Sequence, residues 1–146
     1  MVFPVNNIKF KIGTNGLLSK SDEMCDVKDM ETFSISFDNG VETWHAIDQE
    51  GWARRLMTAK SVSINLSGKR NYGDIGNDYV AGLAYENGGQ ACTILETEFP
   101  DGSVLSMSCV ISVSASDGGG ATDVAALEFT CLSDGKPSYR KHTKIK

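Results

Sequence analysis

The sequence predicts one mainly β domain with a single α-helix, and residues 103–139 give the first reason. The first half of this segment alternates apolar and polar residues, which is the period of a half-buried strand. Its apolar positions are Leu105, Met107, Cys109, Ile111 and Val113, and its polar positions are nearly all serine. The second half alternates again, with Ala125, Leu127, Phe129 and Cys131 on the apolar side. Glycines 118–120 separate the halves, so we expect two long strands joined by a glycine loop. The serine face suits either solvent or another subunit.

The size of the chain gives the second reason. A chain of 146 residues with 40% hydrophobic residues can bury one core covered by two layers. No repeat, linker or low-complexity segment divides it, so we expect a single domain over residues 1–146.

Residues 74–87 give the third reason, because only this segment has the pattern of a helix. Asp74 suits the N-cap, and the glycines at positions 88 and 89 can end the helix. Three apolar residues recur every fourth position, namely Ile75, Tyr79 and Leu83. We expect that face to pack on the sheet, because the glycines inside the segment weaken an unsupported helix.

The remaining elements follow in chain order. Residues 1–30 show little periodicity and predict an extended N-terminal arm that docks on something. Residues 33–37 alternate as a strand, the Asn39-Gly40 pair predicts a tight turn, and residues 41–47 form the return strand. Residues 48–60 predict a loop or short helical turn. Two more strands are expected at residues 61–67 and 91–99, and a turn at residues 100–102 leads into the segment described first.

Charge and cysteine content bound the class of protein. A net charge of -5 argues against a protein that grips nucleic acid through phosphate contacts. The basic residues of the C-terminal tail are interpreted as a solvated end; they are Lys136, Arg140, Lys141, Lys144 and Lys146. Cys25, Cys92, Cys109 and Cys131 form no CxxC pair, so we expect reduced cysteines and a cytoplasmic site of synthesis. No signal peptide or membrane helix is predicted.

A search for catalytic or cofactor chemistry gives nothing specific. The two histidines, His45 and His142, lack partners in any enzyme pattern, and no nucleotide or metalloprotease motif is present. The glycine run at 118–120 is interpreted as a hairpin loop. Asp117 and Asp123 beside it are too few for a calcium site and favour a capped loop. We therefore expect no enzyme activity, no metal and no cofactor.

Three stretches in the last two thirds of the chain carry a family pattern. They are EGWARRLMTAKSVSINLSGKR (residues 50–70), GNDYVAGLAYENG (76–88) and FPDGSVLSMSCVISVSASDGGGATDVAALEFTCLSDGKP (99–137). Together they resemble the major tail tube proteins of long-tailed bacteriophages and prophages of Gram-positive bacteria. The most specific piece is the run from DGGGATDVAALEF to SDGKP.

The resemblance implies a tail-tube-type β-sandwich or barrel over residues 31–137, flanked by a helix at about 74–87, with a basic tail at 138–146. It implies a structural virion protein whose hexameric rings stack into a tube that conducts DNA during ejection without binding it specifically. The implied partners are further copies of the chain and the tape measure, tail terminator and baseplate or tail-tip proteins, with no membrane anchor. The implied location is the virion tail, assembled in the host cytoplasm.

Glu96, Glu98 and Glu128 are the candidate lumen-facing residues. Each lies on the polar parity of its strand, so all three can point away from the core. Negative walls would let a duplex slide, whereas lysines or arginines would hold it. The alternative, of nearly equal weight, is that these glutamates solvate an outer surface. A carboxylate pair for glycoside hydrolysis is disfavoured, because aromatic platforms are missing.

Three other classes remain open at this stage. One is an inner tube or connector component of a contractile injection system or phage-like particle, including a ring-only terminator or a baseplate piece. Another is a monomeric immunoglobulin-like binding domain, which the free cysteines and the lack of aromatic anchors disfavour. The third is a β-sandwich enzyme, which lacks an identifiable site.

Overall fold

The computed structural model describes residues 1–141, and their main feature is a set of eight antiparallel strands. The strands are Lys9–Gly13 (β1), Met24–Asp26 (β2), Met30–His45 (β3), Ala53–Lys69 (β4), Cys92–Glu98 (β5), Val104–Ser116 (β6), Ala126–Ser133 (β7) and Ser138–Arg140 (β8). One α-helix, Ile75–Gly82 (α1), is followed by 3-10 turns at Leu83–Tyr85 and Gly88–Ala91. Shorter 3-10 turns lie at Val5–Asn7, Gly16–Leu18, Ser21–Glu23 and Ile47–Gln49.

The strands pair in the order β2-β1-β5-β6-β7-β4-β3, and β8 adds to β6. Strand β6 belongs to both halves of this sheet, because its first half pairs with β5 and its second half with β7. Strand β1, next to one end of the order, meets β3 at the other end, where the Phe10 ring packs edge-on against the Phe33 ring with centroids 4.7 Å apart. The two halves therefore face each other as a β-sandwich with one helix, which confirms the predicted fold class.

The core lies between the two halves and contains the residues that the strand patterns predicted. Buried side chains include Ile12, Ile64, Leu66, Val80, Leu95, Met107, Ile111, Leu127 and Phe129. Phe129 of β7 sits in the middle, with Leu66 of β4 opposite on one side and Val113 of β6 on the other. Cys109 and Cys131 are buried free thiols, and the hydrogen bond between them, followed by burial, raises the pKa of the Cys131 thiol.

The prediction of a turn at Asn39-Gly40 is wrong. Strand β3 continues through these residues to His45, and only a bulge marks the step from Gly40 to Val41. Gly40 instead allows β3 and β4 to come close together at the bulge, since a Cβ on Gly40 would stand 2.9 Å from the Cβ of Ala59. The prediction of a loop or short helical turn over residues 48–60 is confirmed up to residue 52, where a 3-10 turn and the chain reversal lie, and is wrong from Ala53 on, because β4 begins there and pairs with β3.

The true turn follows the 3-10 turn Ile47–Gln49. Glu50 and Gly51 both have positive φ there, at 53° and 87°, and reverse the chain between β3 and β4. The two strands consequently form one long hairpin of sixteen and seventeen residues.

The predicted N-terminal arm over residues 1–30 is also wrong in part. β1 pairs with β5 and β2, and the Ile12 side chain is fully buried in the core. The alternation of Phe10 and Ile12 indicates this strand in the sequence, but five residues are too short a run for a clear strand pattern. Residues 1–5 remain outside the sheet and are exposed.

The basic tail begins with a strand. β8 pairs with Val104, Leu105 and Ser106 at the start of β6, and Lys141 after it is exposed. His142, Lys144 and Lys146 lie outside the described residues.

The helix is shorter than predicted, and one residue of its predicted buried face is exposed. Asp74 caps it as expected, since its carboxylate accepts from the backbone N–H of Asn77 at 3.0 Å. Ile75, however, is 65% exposed, so its predicted packing on the sheet is wrong. Leu83 is buried and Tyr79 packs against the core, as predicted, and the buried face also carries Gly76, Asn77 and Val80. A Cβ on Gly76 would stand 2.3 Å from the Asp26 carbonyl oxygen, so the helix packs with its backbone against the end of β2.

Candidate assembly surfaces

The outward faces of β3, β4, β7 and the second half of β6 form one polar surface, which we name the hydroxyl face. Its residues are Thr32, Ser34, Ser36, Ser61, Ser63, Asn65, Ser67, Ser112, Ser114 and Thr130. Ser34, Asn65, Thr130 and Ser112 stand side by side across the four strands. The Asn65 amide donates to Ser34 Oγ at 3.4 Å and accepts from the Thr130 hydroxyl. These side chains are short and uncharged, and Leu132 of β7, which stands opposite Ser63 and is 42% exposed, adds one large apolar side chain to the same face.

Few ionisable groups interrupt the hydroxyl face. Asp38 lies opposite Ser61 at one end, and Glu128 accepts from Ser67 Oγ at 3.3 Å. The Lys69 ammonium at the other end is 3.1 Å from the Glu31 carboxylate. The face therefore carries about two negative charges in excess.

The four strands under the hydroxyl face have two unpaired edges within the described residues. β3 pairs only with β4, and β6 beyond Val110 pairs only with β7. An unpaired edge is a template for another strand unless it is covered. Both sides of the sheet are thus open to pairing with another strand.

The outer half of the long hairpin, residues 38–60, stands away from the core. The large apolar side chains on it are all exposed; they are Val41, Trp44, Ile47, Trp52, Leu56 and Met57. The Arg54 guanidinium lies over the Trp44 ring, 5.8 Å from its centroid, and keeps that ring in place. Trp44 and Leu56 lie on one face of the hairpin and Val41 and Met57 on the other, so apolar side chains are exposed on both faces.

The structure separates the three candidate glutamates. Glu128 lies on the hydroxyl face, whereas Glu96 and Glu98 lie on β5, outside the four-stranded region. Glu96 stands opposite Lys11, and Glu98 stands opposite Lys9. The cross-strand lysines offset the charge of these two glutamates.

A polar cluster at the end of β4 is the feature that the sequence did not predict. The fully buried amide of Asn77 accepts from Arg70 Nη1 at 2.8 Å and from the backbone N–H of Asn71 at 2.9 Å. Its nitrogen donates to the carbonyl oxygens of Lys28 and Lys69. One side chain thus fastens α1 to the ends of β4 and of the segment before β3.

Arg70 extends this cluster to the glycine loop. Its guanidinium, 7% exposed, is 2.8 Å from Asp78 Oδ1 and lies 4.0 Å from the centroid of the Tyr72 ring. The Tyr72 hydroxyl donates to Asp117 Oδ1 at 2.7 Å. The hydrogen bond from Arg70 holds the pKa of Asp78 below its ordinary value, and the bond from Tyr72 does the same for the pKa of Asp117.

The loop between β6 and β7 is held by its own side chains. Asp117 has a positive φ of 65°, and the Asp123 carboxylate accepts from the Gly120 N–H at 2.8 Å. Asp123 therefore caps the loop. Among residues 1–141, no group of three or more His, Cys, Asp and Glu side chains could hold a metal ion. His45 is exposed on the hairpin, and His142 is outside the described residues.

No helix within residues 1–141 is long and apolar enough to cross a membrane. Neither a family model nor a curated protein matches the chain.

Solved structures with the same fold do exist. A chain from the tail of an empty gene transfer agent particle, determined with helical refinement and C6 symmetry, matches with a TM-score of 0.76 and 17% identity, covering 94% of this chain and 98% of that one. A chain of the sheath-tube complex of an extracellular contractile injection system matches with a TM-score of 0.58 and 16% identity, covering 97% and 93%. The tube-terminating cap of the anti-feeding prophage matches with a TM-score of 0.60 and 14% identity, covering 97% and 93%. The chain therefore has the fold found in these tail and tube components.

Proposed function

We propose that the chain is a structural virion protein, the subunit of a tail tube. The observation that carries the proposal is the four-stranded hydroxyl face with an unpaired edge on each side. The fold shared with tail and tube components supports it. More specifically, we propose that it is the major tail tube protein of a long-tailed phage or prophage of Gram-positive bacteria, the family that the sequence resembles. It would be located in the virion tail and assembled in the host cytoplasm.

Edge pairing gives the geometry of the ring. Strand β3 of one copy adds to the free edge of β6 in the next, and the ring closes when six copies have joined, the symmetry of the similar particle tail. Six copies of four strands make 24 strands, which at about 4.8 Å each give a circumference near 115 Å and a diameter of about 37 Å. Strand tilt widens this value. The small side chains of the hydroxyl face leave a bore wide enough for a DNA duplex.

The chemistry of the hydroxyl face suits passage rather than binding. DNA is held mainly by lysine and arginine contacts to phosphates. The one lysine of the face, Lys69, is engaged with Glu31, and the remaining charges, Asp38 and Glu128, are acidic. We propose Glu128 as a lumen residue and add Asp38. Glu96 and Glu98 stay as weaker candidates, because Lys11 and Lys9 face them.

Stacking of rings requires a second contact, and the exposed hairpin supplies a surface for it. A contact between different patches of two copies repeats without limit unless something stops it. Tape measure, tail terminator and baseplate or tail-tip proteins would set the length and close the ends. The free segment 1–5 is the part of the N-terminal region that remains available for such contacts.

Electron microscopy of the purified, concentrated protein tests the proposal, with sedimentation as a second measurement. Tubes are the expected result. Isolated rings alone would instead favour the alternative function, a connector or cap like the tube-terminating cap of similar fold. Monomers at high concentration, with the phage assembly factors supplied, would exclude both functions.

A further inference from the structure

Three Asn-Gly pairs occur in the chain, at residues 15–16, 39–40 and 87–88, and the fold holds each of them differently. A glycine after asparagine leaves the next backbone nitrogen unshielded, because glycine has no Cβ. That nitrogen can attack the amide carbon of the asparagine side chain. The attack requires a backbone that can rotate, so the surroundings of each pair decide how readily it reacts.

The Asn39-Gly40 pair lies within the ladder between β3 and β4. Asn39 stands opposite Lys60, and Gly40 stands opposite Ala59. Rotation of this backbone would separate the two strands locally. The ladder therefore opposes the attack at Asn39.

The Asn15-Gly16 pair lies in a turn that one side chain clamps. The Asn15 N–H donates to Ser19 Oγ at 2.9 Å, and the Ser19 hydroxyl donates to the Gly16 carbonyl oxygen at 2.6 Å. The Ser19 backbone N–H donates to the same carbonyl at 3.2 Å. These bonds restrict rotation on both sides of the Asn15-Gly16 peptide.

The Asn87-Gly88 pair lies outside the strands, between the 3-10 turns Leu83–Tyr85 and Gly88–Ala91. Asn87 and Gly88 are both exposed, and a Cβ on Gly88 would meet no atom within 4 Å. The Gly88 N–H donates to Asn87 Oδ1 at 2.9 Å. The attacking nitrogen thus already lies beside the amide group that it would attack.

We propose that Asn87 is a site of spontaneous deamidation. The Gly88 nitrogen bonds to Cγ of Asn87 and gives up its proton, while Nδ2 takes a proton and leaves as ammonia, so that a cyclic imide forms. One water molecule then opens the imide and leaves aspartate or isoaspartate at position 87. Water is the only co-reactant, and nothing is oxidised or reduced.

The product places a new negative charge beside an acidic groove. Glu86 and Gly89, on either side of the pair, line this groove together with Asp78, and its volume is about 700 Å³. Each reaction lowers the net charge of -5 by one, since a neutral amide becomes a carboxylate. The isoaspartate form also adds a methylene to the backbone before the turn Gly88–Ala91. The site belongs to the single chain and does not depend on the proposed tube.

Incubation of the folded wild-type protein at mildly alkaline pH tests the site. Ion-exchange chromatography follows the acidic product, and peptide mapping by mass spectrometry locates the gain of about 1 Da and separates aspartate from isoaspartate. Asn87 should react about tenfold or more faster than Asn39, because the ladder must open before Asn39 can react. Asn15 should also react more slowly than Asn87, because the Ser19 clamp must open first.

Two variants and a denatured sample are the controls. Asn87→Ser keeps a side chain that can cap the turn and should remove the main acidic product, whereas the matched variant Asn39→Ser should leave that product unchanged. Thermal melts check that both variants are folded. In denaturant the three pairs should react at similar rates, because glycine follows asparagine in each. An unchanged acidic product in Asn87→Ser, equal rates at Asn87 and Asn39 in the folded protein, or the same preference for Asn87 in denaturant would overturn the proposal.

Discussion

The inner and outer halves of the long hairpin carry similar side chains in very different surroundings. In the inner half, Ile64 and Leu66 of β4 are buried in the core. In the outer half, Val41 and Met57 continue the buried parity of the same two strands but remain exposed. The ladder between β3 and β4 is continuous through both halves, so strand pairing does not decide burial. The presence of a facing layer decides burial, and within residues 1–141 the outer half has no such layer.

Truncation of a core side chain gives the largest expected effect on folding. Phe129→Ala should lower the free energy of unfolding by about 3 to 5 kcal/mol, because Phe129 is 2% exposed and fills the centre of the core. Chemical denaturation measures the loss. The matched outer variant, Phe37→Ala, should change the free energy of unfolding by under about 1 kcal/mol. Equal losses at the two positions would contradict the distinction between the halves.

Removal of the buried amide gives the next largest effect. Asn77→Ala should cost about 2 to 4 kcal/mol, because Arg70 and the carbonyl groups of Lys28 and Lys69 lose their partner in a buried site. Asn39→Ala, at an exposed position on the hairpin, is the control. A thermal melt of Asn77→Ala that matches the control would show that water replaces the amide without penalty.

Acid should destabilise the part of the fold where the loop between β6 and β7 meets α1. The pKa values of Asp78 and Asp117 are lowered in the folded protein, by hydrogen bonds from Arg70 and Tyr72. Their stabilisation is therefore present above the unfolded pKa of about 4 and is lost as the pH falls through the folded values. The melting temperature should drop as the pH falls below about 4, and the drop should be smaller in a protein with Asp78→Asn and Asp117→Asn. Asp22→Asn is the control, and a drop of unchanged size in the double variant would assign the acid sensitivity elsewhere.

The contrast between the two halves also explains what the sequence could predict. Alternation over residues 103–131 predicted the buried parity of Phe129, because strand period and burial coincide wherever a facing layer exists. The Asn39-Gly40 pair is usually a strong turn signal, but it gave a wrong prediction here. A glycine is also favoured at a bulge, and Gly40 lies beside one, where Ala59 of β4 comes close. The Arg70 cluster escaped prediction since its members, such as Asn77 and Asp117, come from separate parts of the chain.

The smallest expected effect on folding concerns the hydroxyl face. Glu128→Lys should leave the melting temperature nearly unchanged, because Glu128 is exposed and its partner Ser67 can bond to water. In a tube, however, six copies per ring would place a belt of positive charge in the bore at every ring, and each lysine could exchange a counterion for a phosphate contact. Tubes with Glu128→Lys should therefore assemble normally but slow DNA ejection, and added salt should restore the rate. Changing Glu96 and Glu98 to Lys is the matched comparison, with a weaker effect expected because Lys11 and Lys9 already offset these positions. Unchanged ejection from well-formed Glu128→Lys tubes would place the hydroxyl face outside the bore. Its serines would then lie on the outer surface of the tube, in contact with solvent.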